Sequence, residues 1–235
     1  MQNLKNLKSF LPEFPRTPHV PFKPNMGKDD ILASSEEIKV LFQRNIDISE
    51  KLDGANCGMA LVDDQPVIRN HNHILNKAYS KNTPAKKQFA SVFNWFYENK
   101  NKFEILNEAG PFSVFGEWMV AQHGIKYDAL PAWFIAFDLY NYESGEFVET
   151  ITARKVLQDS GFELVPQLFY GQITTFEEIS QMTKKTSDFT NSPIEGVYIK
   201  ISNGDWITNR FKMVREDFVQ GALWDSKSLK KNVLR

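Results

Sequence analysis

The chain has 235 residues, of which 42% are hydrophobic and 24% charged, and its formal net charge is −1; it has room for one large domain or a domain with a small appendage. Nucleic-acid binding gains nothing from that overall charge and has to come from local clusters. Apolar runs such as Phe134-Ile135-Ala136-Phe137 are far too short to span a bilayer, and a lone Cys57 excludes an intrachain disulfide and fits a reducing, cytoplasmic setting.

The first residues, Met1 to Lys8, lack the continuous apolar stretch of a signal peptide. Residues 1–30 are polar and punctuated by Pro12, Pro15, Pro18, Pro21 and Pro24, a spacing that suits an extended segment lying across a surface. Ile38 to Ile48 alternates loosely and reads as a strand with a break. Two strands follow from Ile46 through Val62, turning at Asp53-Gly54, and Asp63-Asp64-Gln65-Pro66 makes a hairpin into Val67-Ile68-Arg69. Beyond a polar loop over Asn76 to Pro84, Phe89, Val92, Phe93 and Phe96 recur at helical spacing and predict a helix from about Ala85 to Asn99.

Phe112 to Trp118 and Trp133 to Tyr140 read as strands, the second turning at Glu143-Ser144-Gly145 and returning through Phe147-Val148. Thr152 is placed to cap a helix ending at Gly161, and Thr175-Phe176-Glu177-Glu178 matches a capping box for another. Gly196 to Ile201 and Trp206 to Val214 form a hairpin around Asn203-Gly204. From Lys227 onward the tail is basic and reads as a short helix or a loose arm. Strands mostly in hairpins, with few helices between them, predict an α+β fold with antiparallel sheets. The division expected is an extended segment 1–30, a main domain 31–218 and a basic tail 219–235.

Chemistry concentrates at strand ends. Lys51 lies in Glu50-Lys51-Leu52-Asp53-Gly54-Ala55-Asn56, Glu117 follows Phe115-Gly116, and Glu195 precedes Gly196-Val197-Tyr198-Ile199-Lys200. Arg210 and Lys212, two apart on a strand, share a face. Taken alone, the stretch favours Lys51 as a surface lysine flanked by acids in a turn, over a nucleophile at a strand end. Together these groups make the inventory for nucleotidyl transfer: an amine to attack, acids for a metal and a ribose, cations for phosphates. His71 and His73 lack a third ligand for a metal and read as a polar strand end; Cys57 reads as core.

Lys51-Leu52-Asp53-Gly54, Val114-Phe115-Gly116-Glu117, Phe134 to Asp138, Glu195 to Lys200 and Arg210-Phe211-Lys212 resemble, in order, five motifs of the covalent nucleotidyltransferase superfamily of ATP-dependent ligases and capping enzymes. The resemblance spans about Asp47 to Asp217. Asn56, two residues after the motif glycine, is similar to the nick-sealing and RNA-editing RNA ligases, where DNA ligases and capping enzymes usually carry arginine. Phe14-Pro15-Arg16-Thr17-Pro18-His19 also resembles the N-terminal lead of some RNA ligases. Two departures are Asp53, where that branch commonly has histidine, and Arg210, where it usually has lysine.

The resemblance implies an ATP-grasp-like ligase adenylation domain of antiparallel sheets flanked by helices, with nothing after Arg215 long enough for a separate OB domain. It implies Lys51 as nucleophile on ATP, Glu195 as the ligand of Mg²⁺ or Mn²⁺, Glu117 as ribose contact and Phe137 as the ring stacking on adenine. Glu50, Asn56 and Arg69 join the nucleotide contacts, and Lys200, Arg210 and Lys212 face phosphates, the last two assisting catalysis. The substrate implied is RNA, bound by a monomer, and Lys77, Lys81, Lys86, Lys87 and the basic tail are candidates to touch its backbone. A partner protein supplying further RNA-binding surface is compatible with the short C-terminus. A DNA ligase or capping enzyme of the same fold, or a non-catalytic RNA-binding relative, are the alternatives.

Overall fold

The computed structural model describes residues 4–27, 30–76, 87–222 and 228–235. Lys77, Lys81, Lys86, Lys227 and the start of the helix predicted from Ala85 lie outside the described residues. In chain order the elements are α1 (Leu4–Phe10), α2 (Ser35–Leu41), β1 (Ile46–Lys51), β2 (Ala55–Val62), β3 (Gln65–Asn70), α3 (Val92–Glu98), α4 (Lys100–Ala109), β4 (Phe112–Trp118), β5 (Phe134–Asn141), β6 (Glu146–Phe147), α5 (Thr150–Asp159), β7 (Gln167–Gly171), α6 (Phe176–Met182), β8 (Gly196–Asn203) and β9 (Trp206–Val214). The strands form two antiparallel sheets, in the orders β7-β1-β8-β9 and β3-β2-β4-β5-β6, so the fold is α+β.

Period-two alternation decides which residues each sheet turns outward. Ile46, Ile48, Ile199, Ile201 and Phe211 of the first sheet pack with Leu41 of α2 and Ile179 of α6. Met59, Leu61 and Val114 of the second pack with Phe96 of α3, Phe103 and Leu106 of α4 and Leu157 of α5. Both sheets thus cover their apolar faces with helices, and the other faces carry Asp47, Ser49, Lys51, Tyr198, Lys200, Arg210 and Lys212 on one side and Asn56 and Glu117 on the other. Among the described residues no helix is long and apolar enough to cross a membrane.

Several expectations change. Ile38 to Leu41 is helix, because Ser34 and Glu37 close a capping box that starts α2. The turn at Asp53-Gly54 joins strands of different sheets. The predicted long helix is α3 in its described part, and α4 follows it at once after the junction at Asn99. Glu149, with its carboxylate accepting from the N–H groups of Ile151 and Thr152, caps α5 in place of Thr152. β7 escapes the sequence pattern because its burial does not alternate. The capping box at Thr175 and Glu178 is present as read.

The segments 4–27 and 228–235 are both tied down. Residues 4–10 are helical and only then does the proline-rich segment run extended, with Leu11, Phe14, His19 and Val20 buried. Its backbone joins the edge of β9: Lys212 N–H donates to the Pro18 carbonyl (2.9 Å) and Val20 N–H to the Lys212 carbonyl (3.1 Å). Residues 228–235 are not a loose arm: Asn232 is buried, donating to the carbonyls of Met119 (2.8 Å) and Ala121 (3.0 Å) and accepting from Tyr127 N–H (2.9 Å).

Candidate active site

Lys51, the last residue of β1, pairs directly with Gly196, the first of β8. That register brings Glu195 alongside, with Lys51 Nζ 2.6 Å from Glu195 Oε1. The glycine is needed there, because a Cβ on Gly196 would run into the Met213 carbonyl of β9. The chain then crosses between sheets through Leu52, Asp53 and Gly54. Asp53 fixes this crossing: its carboxylate accepts from the N–H groups of Gly124 and Ile125, the latter at 2.8 Å, and its own N–H donates to the Tyr127 hydroxyl (3.0 Å). Gly54 allows close approach to β4, since a Cβ would stand 2.5 Å from Met119 Sδ and 3.2 Å from Glu117 Cβ.

On the opposite wall Asn56 of β2 and Glu117 of β4 are direct cross-strand partners. Lys51, Asn56, Glu117, Tyr198 and Lys212 line a cleft of about 430 Å³ roofed by Phe14 to Thr17. A smaller cavity of about 160 Å³ adjoins it, lined by Glu195, His19, Asp30, Lys51 and Lys212 among others. A more open hollow of about 490 Å³ lies at the far end of the first sheet, around Arg44, Asp47, Lys200 and Ser202, and contains none of the groups around Lys51.

Acidic groups outnumber the amine. Burial pushes Glu117 up to about 8 against the pull of Lys51, with Glu195 and Asp53 adding to the rise. Burial likewise pushes Glu195 up to about 7, again opposed by Lys51. For Lys51 burial acts downward, but the Glu195 and Glu117 carboxylates outweigh it and hold the amine protonated, above its usual value. Among the described residues, Glu117 Oε2, Asn56 Oδ1 and Glu195 Oε2 are buried without a hydrogen-bond partner, a condition that a bound ion or ligand satisfies. Among the described residues no three His, Cys, Asp or Glu side chains cluster as a metal cage. The Glu195 carboxylate offers a hard oxygen donor of the kind that Mg²⁺ or Mn²⁺ accepts.

The structure brings Lys51, Asn56, Glu117, Glu195 and Lys212 together and engages the other expected residues elsewhere. Phe137 lies parallel to Tyr198, with 12° between planes and 6.3 Å between centroids. Lys200 Nζ is 2.6 Å from Asp138 Oδ1 and donates to the Phe137 carbonyl (2.6 Å). Arg210 Nη2 stands 3.1 Å from Asp138 Oδ2, its guanidinium 4.2 Å above the Phe147 ring. Arg69, 2% exposed, donates to the carbonyls of Leu11, Asn70 and His71 and so holds the N-terminal segment. Glu50 points to the other pleat of β1, toward Ser187 and Asp188, so Lys51 is paired to Glu195 and not to it. Tyr198, Asp30 and His19 also line these cavities without having been assigned a role from the sequence; only Tyr198, two residues from Gly196 on the same face, left a periodic signal.

Glu50 yields a first expected result. Burial lifts its carboxyl to about 7, against a hydrogen bond from Ser187 and together with Asp188. A folded value above the unfolded one means that the stability from the bound proton is present at low pH and lost as pH rises through about 7. Glu50→Gln is therefore expected to melt at a higher temperature than the wild type near pH ~8.5 and at the same temperature near pH ~5. Thermal unfolding at both pH values checks this.

The RNA ligase family model matches residues 44–214. The fold also matches solved structures of the Naegleria gruberi RNA ligase. One mutant of that enzyme, solved with ATP and Mn, is 20% identical with a TM-score of 0.61, over 77% of this chain and 52% of that one. A second mutant, with AMP and Mn, gives 18% identity and a TM-score of 0.64 over 88% and 56%; the enzyme with PPi gives 19% and 0.60 over 84% and 58%. The chain therefore spans a little over half the length of these structures, and at such identities the likeness speaks for the fold. A search of curated proteins found no match. With the family model running from just before β1, through the Lys51 turn and both strand-end glutamates, to the end of β9, the chain belongs to the RNA ligase family.

Proposed function

We propose that the protein is an ATP-dependent RNA ligase that joins an RNA 3′-hydroxyl to a 5′-phosphate through a lysyl-AMP intermediate on Lys51. The observation that carries this reading is Lys51 Nζ at 2.6 Å from Glu195, at the junction of two cavities, one lined by Glu117 and Asn56 and the other by Glu195, each with a buried oxygen that has no hydrogen-bond partner among the described residues. Once the ammonium has lost one proton to solvent, the Lys51 amine attacks the α-phosphorus of ATP: the P–N bond forms, the P–O bond to pyrophosphate breaks, and a second N–H proton leaves to pyrophosphate or solvent. The 5′-phosphate of RNA then takes the AMP, breaking the P–N bond, and the 3′-hydroxyl displaces AMP to close the strand.

In this reading Glu117 and Asn56 contact the ribose and Lys212 a phosphate. Adenine lies against Phe137, whose ring is nearly parallel to that of Tyr198 on the cleft wall. Glu195 holds Mg²⁺ or Mn²⁺, whose charge disfavours the ammonium form of Lys51. Mn accompanying ATP and AMP in the Naegleria gruberi structures supports that choice. Lys200 and Arg210 act through Asp138, clamping the two sheets around the nucleotide.

Incubation with α-labelled ATP and Mn²⁺, then denaturing electrophoresis, tests the reading. A covalent label is expected on the wild type and none on Lys51→Ala; a label that survives the substitution sinks the mechanism. Transfer to nicked RNA and nicked DNA in parallel then identifies the polynucleotide, with sealing of RNA expected.

A further inference from the structure

We propose that Asp30 is a positioning residue for Lys212, so that the N-terminal strap aims a phosphate-binding cation on the last strand; this rests on the adenylylation reading above. Asp30 Oδ1 lies 2.5 Å from Lys212 Nζ. Its other oxygen accepts from Gly27 N–H (2.8 Å) and stands 3.3 Å from His19 Nε2. The carboxylate is thus seated by the strap independently of Lys212. The strap itself is fixed beside Lys212: His19 pairs with Lys212 on one side and Leu32 on the other, His19 N–H donates to the Ile31 carbonyl (2.8 Å), and Ala33 N–H to the His19 carbonyl (2.8 Å).

Location gives this pair its importance. Asp30, Lys51 and Lys212 are the three residues common to the two adjoining cavities, one holding Asn56 and Glu117 and the other Glu195. Lys212 therefore stands beside another cation in a partly enclosed space, and a flexible four-carbon stem offers it an exit to water. Asp30 opposes that exit. Burial and the neighbouring Lys212 lower the basicity of His19, which leaves the charge of Asp30 to Lys212. An ammonium has three N–H donors, so one contact to Asp30 leaves two for a phosphate, and the carboxylate directs the cation without replacing its ligand.

Self-labelling with α-labelled ATP and Mn²⁺, measured against ATP concentration, tests the inference on the wild type, Asp30→Ala, Asp30→Asn, Lys212→Ala and the double variant Asp30→Ala/Lys212→Ala. Asp30→Ala is expected to raise the half-saturating ATP concentration about tenfold or more, a misplaced group being costly even at small displacements. Asp30→Asn, which keeps an acceptor for Lys212, should fall between it and the wild type. In the Lys212→Ala background Asp30→Ala should change nothing further. A lower half-saturating concentration in Asp30→Ala makes the carboxylate a competitor of the phosphate and overturns the inference; so does an unchanged value, or an effect that persists without Lys212. If thermal melting shows Asp30→Ala unfolded, Asp30→Asn carries the comparison alone. A wild type that fails to label sinks the adenylylation reading itself, a distinct outcome from a labelling wild type indifferent to Asp30.

Discussion

Glu195→Gln is expected to slow covalent labelling of Lys51 by at least about 100-fold, the scale on which a preorganised electrostatic group matters in an active site. The variant should remain folded by circular dichroism. The substitution separates two roles of one carboxylate. Through Oε1, 2.6 Å from Lys51 Nζ, Glu195 helps to keep the amine protonated. Removing that charge lets the amine lose its proton more easily, which by itself favours attack at neutral pH. Were the pairing its whole role, the glutamine variant would label faster than the wild type. Oε2 is buried with no hydrogen-bond partner among the described residues, in a residue lining the smaller cavity. If that oxygen holds the cation that accompanies ATP, its loss costs more than the freed amine gains, and labelling falls. The sign of the change in single-turnover rate decides, and faster labelling removes Glu195 from the metal role.

The site was legible where chemistry and strand periodicity coincide. Lys51, Glu117 and Glu195 sit at strand ends beside glycines whose missing side chains let neighbouring backbones close in, and short local patterns of that kind survive in sequence. Lys212 was placed correctly on a face by its spacing from Arg210, but its partner was invisible. Asp30 lies 182 positions away in a segment with no strand pattern of its own. Arg210 and Lys200 alternate on the same face as Lys212, and alternation cannot show that they stop on Asp138 of the other sheet before reaching the cleft. Asp53 illustrates the converse. As a departure from the RNA ligase branch it carried no structural role in the sequence, yet its carboxylate pins the loop at Gly124 and Ile125 to the crossing that follows Lys51. In the fold, a helix of two turns with a capping box was mistaken for a broken strand, because Ile38, Val40 and Leu41 are too few to fix a period.

Asp138→Ala is expected to produce the largest loss of stability of any single change near the cleft. Asp138 is 1% exposed and carries two cations, Lys200 at 2.6 Å and Arg210 at 3.1 Å, themselves 4% and 9% exposed. A buried pair contributes little over an apolar replacement, but removing one partner strands the other, at about 3–5 kcal/mol. For a chain of this length each kcal/mol lowers Tm by about 2–4 °C, so the melting temperature should fall by about 6–20 °C. Asp138→Ala/Lys200→Met should recover part of the loss, because one of the stranded charges is gone and Arg210 keeps the Phe147 and Phe14 rings at 4.2 and 5.5 Å. The same contact fixes more than stability. Lys200 also donates to the carbonyl of Phe137, whose ring lies nearly parallel to that of Tyr198, so loosening Asp138 should raise the ATP concentration needed for labelling as well as lower Tm. A drop in Tm under about 2 °C would mean that Lys200 and Arg210 find water or other partners easily. They would then be cations held in reserve beside the cleft, free to turn to phosphate, and not a clamp between its walls.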